Sequence, residues 1–184
     1  MHHIYTTPGF IVHSMPHGES GKFFLIFTKD FGMIGATAQG IRLSQSKLRY
    51  HIQDNSLSNI SIVRGKEVWR IVGVGEVEQV KTNKVHIQIL KLLKRFLHGE
   101  EKNEKLFEVV EALYKNDFEK INTELVESLV VLRILNHLGY ISNKEIFNDL
   151  ISNNTFGKEI IDKVKEQKAV IIKEINRALK ESQL

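Results

Sequence analysis

The residue types that could do chemistry gather in one connector. From Ala38 to Arg49 the chain reads AQGIRLSQSKLR, with three permanent cations, Arg42, Lys47 and Arg49. No Asp or Glu occurs between Phe31 and Gln53, although the chain holds 22 of them. Ser44, Ser46 and the Gly40 amide add short hydrogen-bond donors, and Tyr50 adds a ring beside the charges. Cations with short donors suit a phosphate backbone, where charge supplies affinity and the donors fix position. A neighbouring aromatic suits single strands, whose unpaired bases stack on it, and Phe31 and Trp69 are further candidates for that role. A solvated loop has the same composition, so on charge alone the two readings stand level.

Other chemistry fails on spacing. HGESGKFF at His17–Phe24 has the glycines and lysine of a phosphate loop. However, Gly18 and Gly21 are too close together, Phe23 replaces the magnesium-binding hydroxyl, and a β pattern follows where a helix is required. Gly18-Glu19-Ser20-Gly21 lacks the residue a nucleophile elbow places between serine and the second glycine. His2, His3, His13 and His17 crowd the first strand without ligand-like spacing to a carboxylate, and His51, His86, His98 and His137 are scattered. Glu76 and Glu78 share a strand face but read as solvated. The expectation is a protein with no catalytic residue and no metal site.

The elements that must position the connector follow from the periods. Apolar content of 42% and charged content of 26% in 184 residues describe a folded chain of one ordinary or two small domains. With no cysteine, disulfides and thiolate zinc sites are excluded. Glycine-punctuated β patterns run over Gly9–Met15, Lys22–Thr28, Met33–Ala38, Ser58–Val63 and Glu67–Val80, with a bend or bulge expected at Gly73 and Gly75. Five such strands suggest a small barrel of the OB type, with an SH3-like barrel as the nearest rival. Beyond Val80 the period becomes helical. Val85, Ile89, Leu92, Leu93 and Phe96 form one apolar face, and Leu106, Val109, Val110, Leu113 and Tyr114 a second. A central helix capped by Asn122 or Thr123 stops at Gly139, and one long helix is expected over Lys158–Lys180. The predicted fold is α+β in two domains, an OB-fold β-barrel over 1–80 and an all-α helical bundle over 81–184. Apolar runs such as Phe23–Phe27 are too short to span a membrane, and the N-terminus lacks a basic stretch followed by an apolar one, so a cytoplasmic location is expected.

In this order the residues resemble the RecO family of bacterial recombination mediators. The pieces are Pro16–Ser20, Thr28–Gly32, Gly40–Arg42, Ser46–Arg49 and the tryptophan-bearing Arg64–Ile71. The L-x-x-L-G-Y end of LVVLRILNHLGYISN is similar to the family's helical domain, so the resemblance runs from about Gly9 to Asn143. It implies a non-enzymatic protein at the nucleoid that binds single- and double-stranded DNA, anneals complementary strands and helps load a recombinase onto coated DNA. It implies RecR and the acidic C-terminal tail of single-strand-binding protein as partners. The DNA-binding residues would be Arg42, Lys47 and Arg49, with Ser46 and Tyr50 beside them and Lys22 and Lys66 in support. No cofactor is expected, because the four-cysteine zinc module that many members carry after the L-G-Y segment has no counterpart beyond Gly139-Tyr140. Gln39 and Leu43 stand where many members have basic residues.

A second basic stretch, Val80–His98, also lacks acids and includes Lys81, Lys84, Lys91, Lys94 and Arg95. Lys91, Lys94 and Arg95 are the candidate dock for the acidic tail. The alternative function is an OB-fold RNA-binding or protein-adapter module without a part in recombination.

Overall fold

The computed structural model describes residues 3–77, 82–118, 121–142 and 145–182, with only the backbone at 76 and 77. His2, Glu78, Lys81 and Asn143, the Glu76 side chain and the expected boundary at 80/81 lie outside these residues.

Five strands close into a barrel in the order β1-β2-β3-β5-β4: β1 (Ile4–His17), β2 (Gly21–Thr28), β3 (Gly32–Ala38), β4 (Leu57–Arg64) and β5 (Trp69–Val77). Neighbours pair antiparallel except β3 and β5, which close the barrel in parallel through Ala36↔Trp69 and Thr37↔Arg70. This order is the OB arrangement, and it decides against the SH3-like rival. Alternate side chains point inward, so Ile11, Phe24, Ile26, Ile34, Ala36, Ile60, Ile62, Trp69 and Ile71 share one core. The β4–β5 register slips twice, between Ser58 and Ile60 and between Ser61 and Ile62, opposite the stretch holding Gly73 and Gly75. Those bulges bend a strand too long to stay flat. β1 starts at Ile4, five residues before the sequence reading placed it, because Ile4–Pro8 pairs with β4 alone, ahead of the stretch that β2 also pairs.

The chain divides into two compact units, 1–104 and 105–184. The sequence period changes near Val80, but the packing changes at Glu104. The first helix beyond the barrel, α2 (Lys84–Phe96), therefore falls in the first unit with α1 (Leu48–His51). It buries Val85, His86, Ile89, Leu90 and Leu93 and packs on β1. Asn83 caps it: its side chain accepts from the His86 amide at 3.2 Å, and the His86 Nδ1 accepts from the Asn83 amide at 3.0 Å.

The second unit holds α3 (Glu104–Lys115) from Lys105 on, α4 (Thr123–His137), α5 (Asn148–Ile151), α6 (Lys158–Glu166) and α7 (Lys168–Glu181). Asn122 caps α4, its side chain accepting from the Glu124 amide at 2.9 Å. The helix ends where Gly139 takes φ 84° and the Tyr140 amide reaches back to Leu135 O at 2.9 Å. Where one long helix was expected there are two, because the backbone leaves helical geometry at Gln167 (φ −94°, ψ 8°). The apolar phase of Ile161, Val164 and Ile171 runs on through that break, so periodicity could not show it. The chain after α4 is pinned by side chains to main chain. Arg133 donates to Leu150 O and Thr155 O, Arg177 donates to Tyr140 O, and Glu174 accepts from the Ser142 amide.

Candidate nucleic-acid interface

The basic connector leaves β3 at Ala38 and is tied to the barrel at several points. Gly40 takes φ 67°, a left-handed turn open to glycine, and the next residue, Ile41, drops its side chain into the barrel core. The Arg42 amide donates to Ser20 O at 2.9 Å, and its guanidinium reaches Glu19 O at 3.4 Å, joining the connector to the β1–β2 turn. Lys47 sits at the N-cap of α1, which carries Arg49 and Tyr50 and packs on β5. Leu48 and Ile52 anchor that helix in the core.

Arg42, Lys47 and Arg49 are exposed between these anchors, and among the described residues none has an acidic partner. Tyr50 is 64% exposed, with the Arg49 guanidinium 5.0 Å above its ring centre. Ser46 is half-buried, its amide donating to Leu43 O at 3.1 Å. Lys22, the second residue of β2, lies opposite Ala38, the residue from which the connector departs, so these two form one cross-strand pair. Gln39 and Leu43 are exposed on the same connector. Lys66 lies elsewhere, in the β4–β5 hairpin. Lys91, Lys94 and Arg95 are exposed on α2.

Two expectations need correction. Trp69 offers no face to a base: it is 3% exposed, with Phe31 at 4.9 Å and Tyr5 at 5.7 Å between ring centres and the Arg64 guanidinium 4.8 Å above it. Strand alternation places Trp69 with Ile71 on the inner face, which decides its fate. Phe31 is half-buried against the same cluster.

Sequence reasoning missed the grouping around Lys66. The register Val63↔Arg70 and Arg64↔Trp69 folds the hairpin so that Arg64, Gly65, Lys66 and Arg70 line one open cavity of about 430 Å³. It also missed the segment 99–104, which docks on the barrel. Glu100 pairs with Arg64 and accepts from Trp69 Nε1 at 3.1 Å. Glu104 pairs with Lys29 at 3.4 Å and with Lys102 at 3.2 Å, and these cations hold its carboxyl below the usual carboxylate range.

Residues 1–79 match the family described as Recombination protein O N terminal. The chain is 25% identical over 141 residues to a protein named DNA repair protein RecO from Alkaliphilus metalliredigens (strain QYMF), covering 72% of this chain and 57% of that relative. It is 28% identical over 141 residues to the protein of that name from Clostridium perfringens (strain 13), with the same coverage. It is 32% identical over 71 residues to the one from Dehalococcoides mccartyi (strain CBDB1), covering 39% of this chain and 28% of the relative. The chain thus spans little more than half the length of the relatives it matches most widely.

Proposed function

We propose that the chain, whose residues 1–79 match the RecO N-terminal family, is a DNA-binding recombination mediator of that family acting in DNA repair without a catalytic group of its own. The observation that carries the proposal is the connector, with three exposed cations that have no acidic partner among the described residues, beside an exposed Tyr50 and fixed on the OB barrel. Arg42, Lys47 and Arg49 neutralise backbone phosphates, with Lys22 and Lys66 in support. Tyr50 stacks on a base, and Ser46 adds a donor to the backbone. Annealing follows physically, because two polyanions screened on one basic surface pair without the repulsion that slows them in free solution.

The partners belong to the same proposal: single- and double-stranded DNA, RecR, and the acidic tail of single-strand-binding protein, with recombinase loading as the outcome. Lys91, Lys94 and Arg95 are the proposed tail dock, since the spacing of i, i+3 and i+4 puts all three on one exposed face of α2. The residues present do not fit the family's thiolate zinc. The chain has no cysteine, and Arg133 and Arg177 fix the segment after α4 instead. Among the described residues no three His, Asp or Glu side chains converge on a metal position. Among them, too, no helix is long and apolar enough to cross a membrane.

The three connector contacts contribute about −2 to the log–log salt slope for single-stranded DNA, at roughly −0.7 per phosphate. The triple variant Arg42→Ala, Lys47→Ala, Arg49→Ala is expected to lose that contribution, and unchanged affinity and slope would refute the assignment. The OB-fold RNA-binding or adapter reading is separated by annealing rates on DNA and RNA oligomers. Equal acceleration of both, or of neither, favours that alternative.

A further inference from the structure

We propose that the β4–β5 hairpin is a second phosphate-backbone site, built from Arg64, Lys66 and Arg70, in which Glu100 holds Arg64 until a nucleic-acid strand displaces it. The inference rests on the nucleic-acid reading above and adds a surface to it.

The hairpin fixes its cations in place. A Cβ on Gly65 would lie 2.2 Å from Val68 O, so the turn is tight and the strand register sets where Arg64 and Arg70 emerge. The cavity they line with Lys66 is open, and among the described residues no aromatic, side-chain amide or acidic residue lines it. An open cationic surface suits a phosphodiester better than a small metabolite, which needs enclosure and groups to orient it. Lys66 and Arg70 are exposed and, among the described residues, have no acidic partner. Glu67 is the one acid in the turn itself.

Among the described residues Arg64 alone of the three has an acidic partner, and that partner resembles the ligand. One Glu100 oxygen pairs with the guanidinium and the other accepts from Trp69 Nε1. A phosphate offers the same paired acceptors. The Arg64 and Glu100 side chains remain 56% and 38% exposed, and ion pairs that open to water are weak enough for a polyanion to replace.

The surroundings extend the site. Phe23↔Thr37 and Thr37↔Arg70 form one cross-strand row, so the half-buried Phe23 and the exposed Arg70 share the outer face across β2, β3 and β5. Gly35 leaves room for the Phe23 ring, since a Cβ there would stand 2.8 Å from it. OB folds bind oligonucleotides across strands 2 and 3 and the loops that flank them, the β4–β5 loop included. With the connector as the first site, the hairpin gives one barrel two places to hold a phosphate backbone.

The test uses the full chain and a labelled oligothymidine, with binding followed by anisotropy across a salt series. Lys66→Gln with Arg70→Gln removes two contacts, so the slope is expected to flatten by about 1.4, at roughly 0.7 per phosphate. Both side chains are exposed, and matching circular dichroism confirms the fold. Glu100→Gln keeps an acceptor for Trp69 Nε1 but releases Arg64, and is expected to tighten binding about two- to fivefold, the range of an exposed ion pair. Trp69 is the single tryptophan, so its emission reports directly on Glu100. A saturable change in that emission as wild type binds supports displacement, whereas unchanged emission at saturating DNA overturns it. An unchanged slope in the double glutamine variant, with wild type binding and the connector triple impaired, overturns the hairpin site alone. Absence of binding by wild type overturns the nucleic-acid reading and the hairpin site together.

Discussion

Arg133 is a fully buried charged side chain of the second unit, and its replacement by methionine has a definite expected cost. The guanidinium is fully buried in α4, with Nε donating to Leu150 O at 2.8 Å and Nη2 to Thr155 O at 2.9 Å. It lies 5.1 Å from the Phe156 ring centre, and among the described residues no carboxylate pairs with it. Burial pulls its pKa down to about 10, which leaves it charged at neutral pH. Replacing a buried ion pair with apolar groups is often neutral, because both charges leave together. Here the partners are main-chain carbonyls, which no substitution at Arg133 removes. Each carbonyl left dry costs about 1–3 kcal/mol, while loss of the buried charge returns part of its desolvation. Arg133→Met is therefore expected to destabilise by about 2–4 kcal/mol, with Arg133→Lys less severe because one ammonium can still serve one carbonyl. Chemical denaturation followed by far-UV circular dichroism gives the difference, and hydrogen exchange locates it, with lost protection concentrated between Thr123 and Glu166. A methionine variant within about 0.5 kcal/mol of wild type, the range of an unremarkable surface change, would refute the reasoning.

Three further outcomes follow from other contacts. Gly32 takes φ 68°, and a Cβ on it would lie 2.2 Å from Glu101 O, so Gly32→Ala should cost at least about 1 kcal/mol from backbone strain alone. It should also loosen segment 99–104, seen as a changed Trp69 emission; an unaltered spectrum and stability would contradict that docking. The Arg177 guanidinium bonded to Glu174, helped by the Ser142 amide, holds the Glu174 carboxyl below its ordinary range against the opposing effect of burial. A lowered carboxyl pKa stabilises the fold above the ordinary range and loses that contribution as pH falls through the lowered value. Glu174→Gln should thus flatten the acid side of a melting-temperature profile below about pH 4, and a profile parallel to wild type would oppose it. Asn83→Ala removes the α2 cap and is expected to cost about 0.5–2 kcal/mol by denaturant titration, whereas no change would mean that packing alone sets the helix start.

What was legible in the chain was what repeats locally. Alternation exposed the barrel strands, and helical period found the buried face of α3 apart from Phe107; on α2 it found Val85, Ile89 and Leu93 but missed His86 and Leu90, while Leu92 and Phe96 are half-buried. The start of β1 was hidden because Thr6, Thr7 and Pro8 carry no alternating signal, and their order comes from β4, more than fifty residues away. Arg64 and Arg70 were visible as cations, but only strand register shows that six residues of separation becomes one surface. Segment 99–104 has no period at all. Its place on the barrel comes from Glu100, Gly32 and Lys29, contacts that sequence spacing does not encode. Arg133 stands in an apolar helix, where its charge reads as a surface residue until the carbonyls of Leu150 and Thr155 are found around it.

The connector shows why a charged loop on this barrel differs from a charged tail of the same composition. Ile41 and Ile52 are buried at its two ends, Leu48 packs between them, and the Arg42 amide is bonded to the β1–β2 turn. The three cations are thus mounted on a backbone already ordered in the free protein. Ordering a residue on binding costs roughly 1–2 kcal/mol of backbone entropy, so a free tail would offset much of its phosphate attraction before gaining any. On the proposed reading, the orientation these anchors give the three cations offsets the charge that exposed Leu43 and Gln39 do not add. Shortening the Ile52 side chain to alanine should then weaken DNA binding without touching a cation or shifting the salt slope, whereas a changed slope would mean that the anchors alter the number of phosphate contacts.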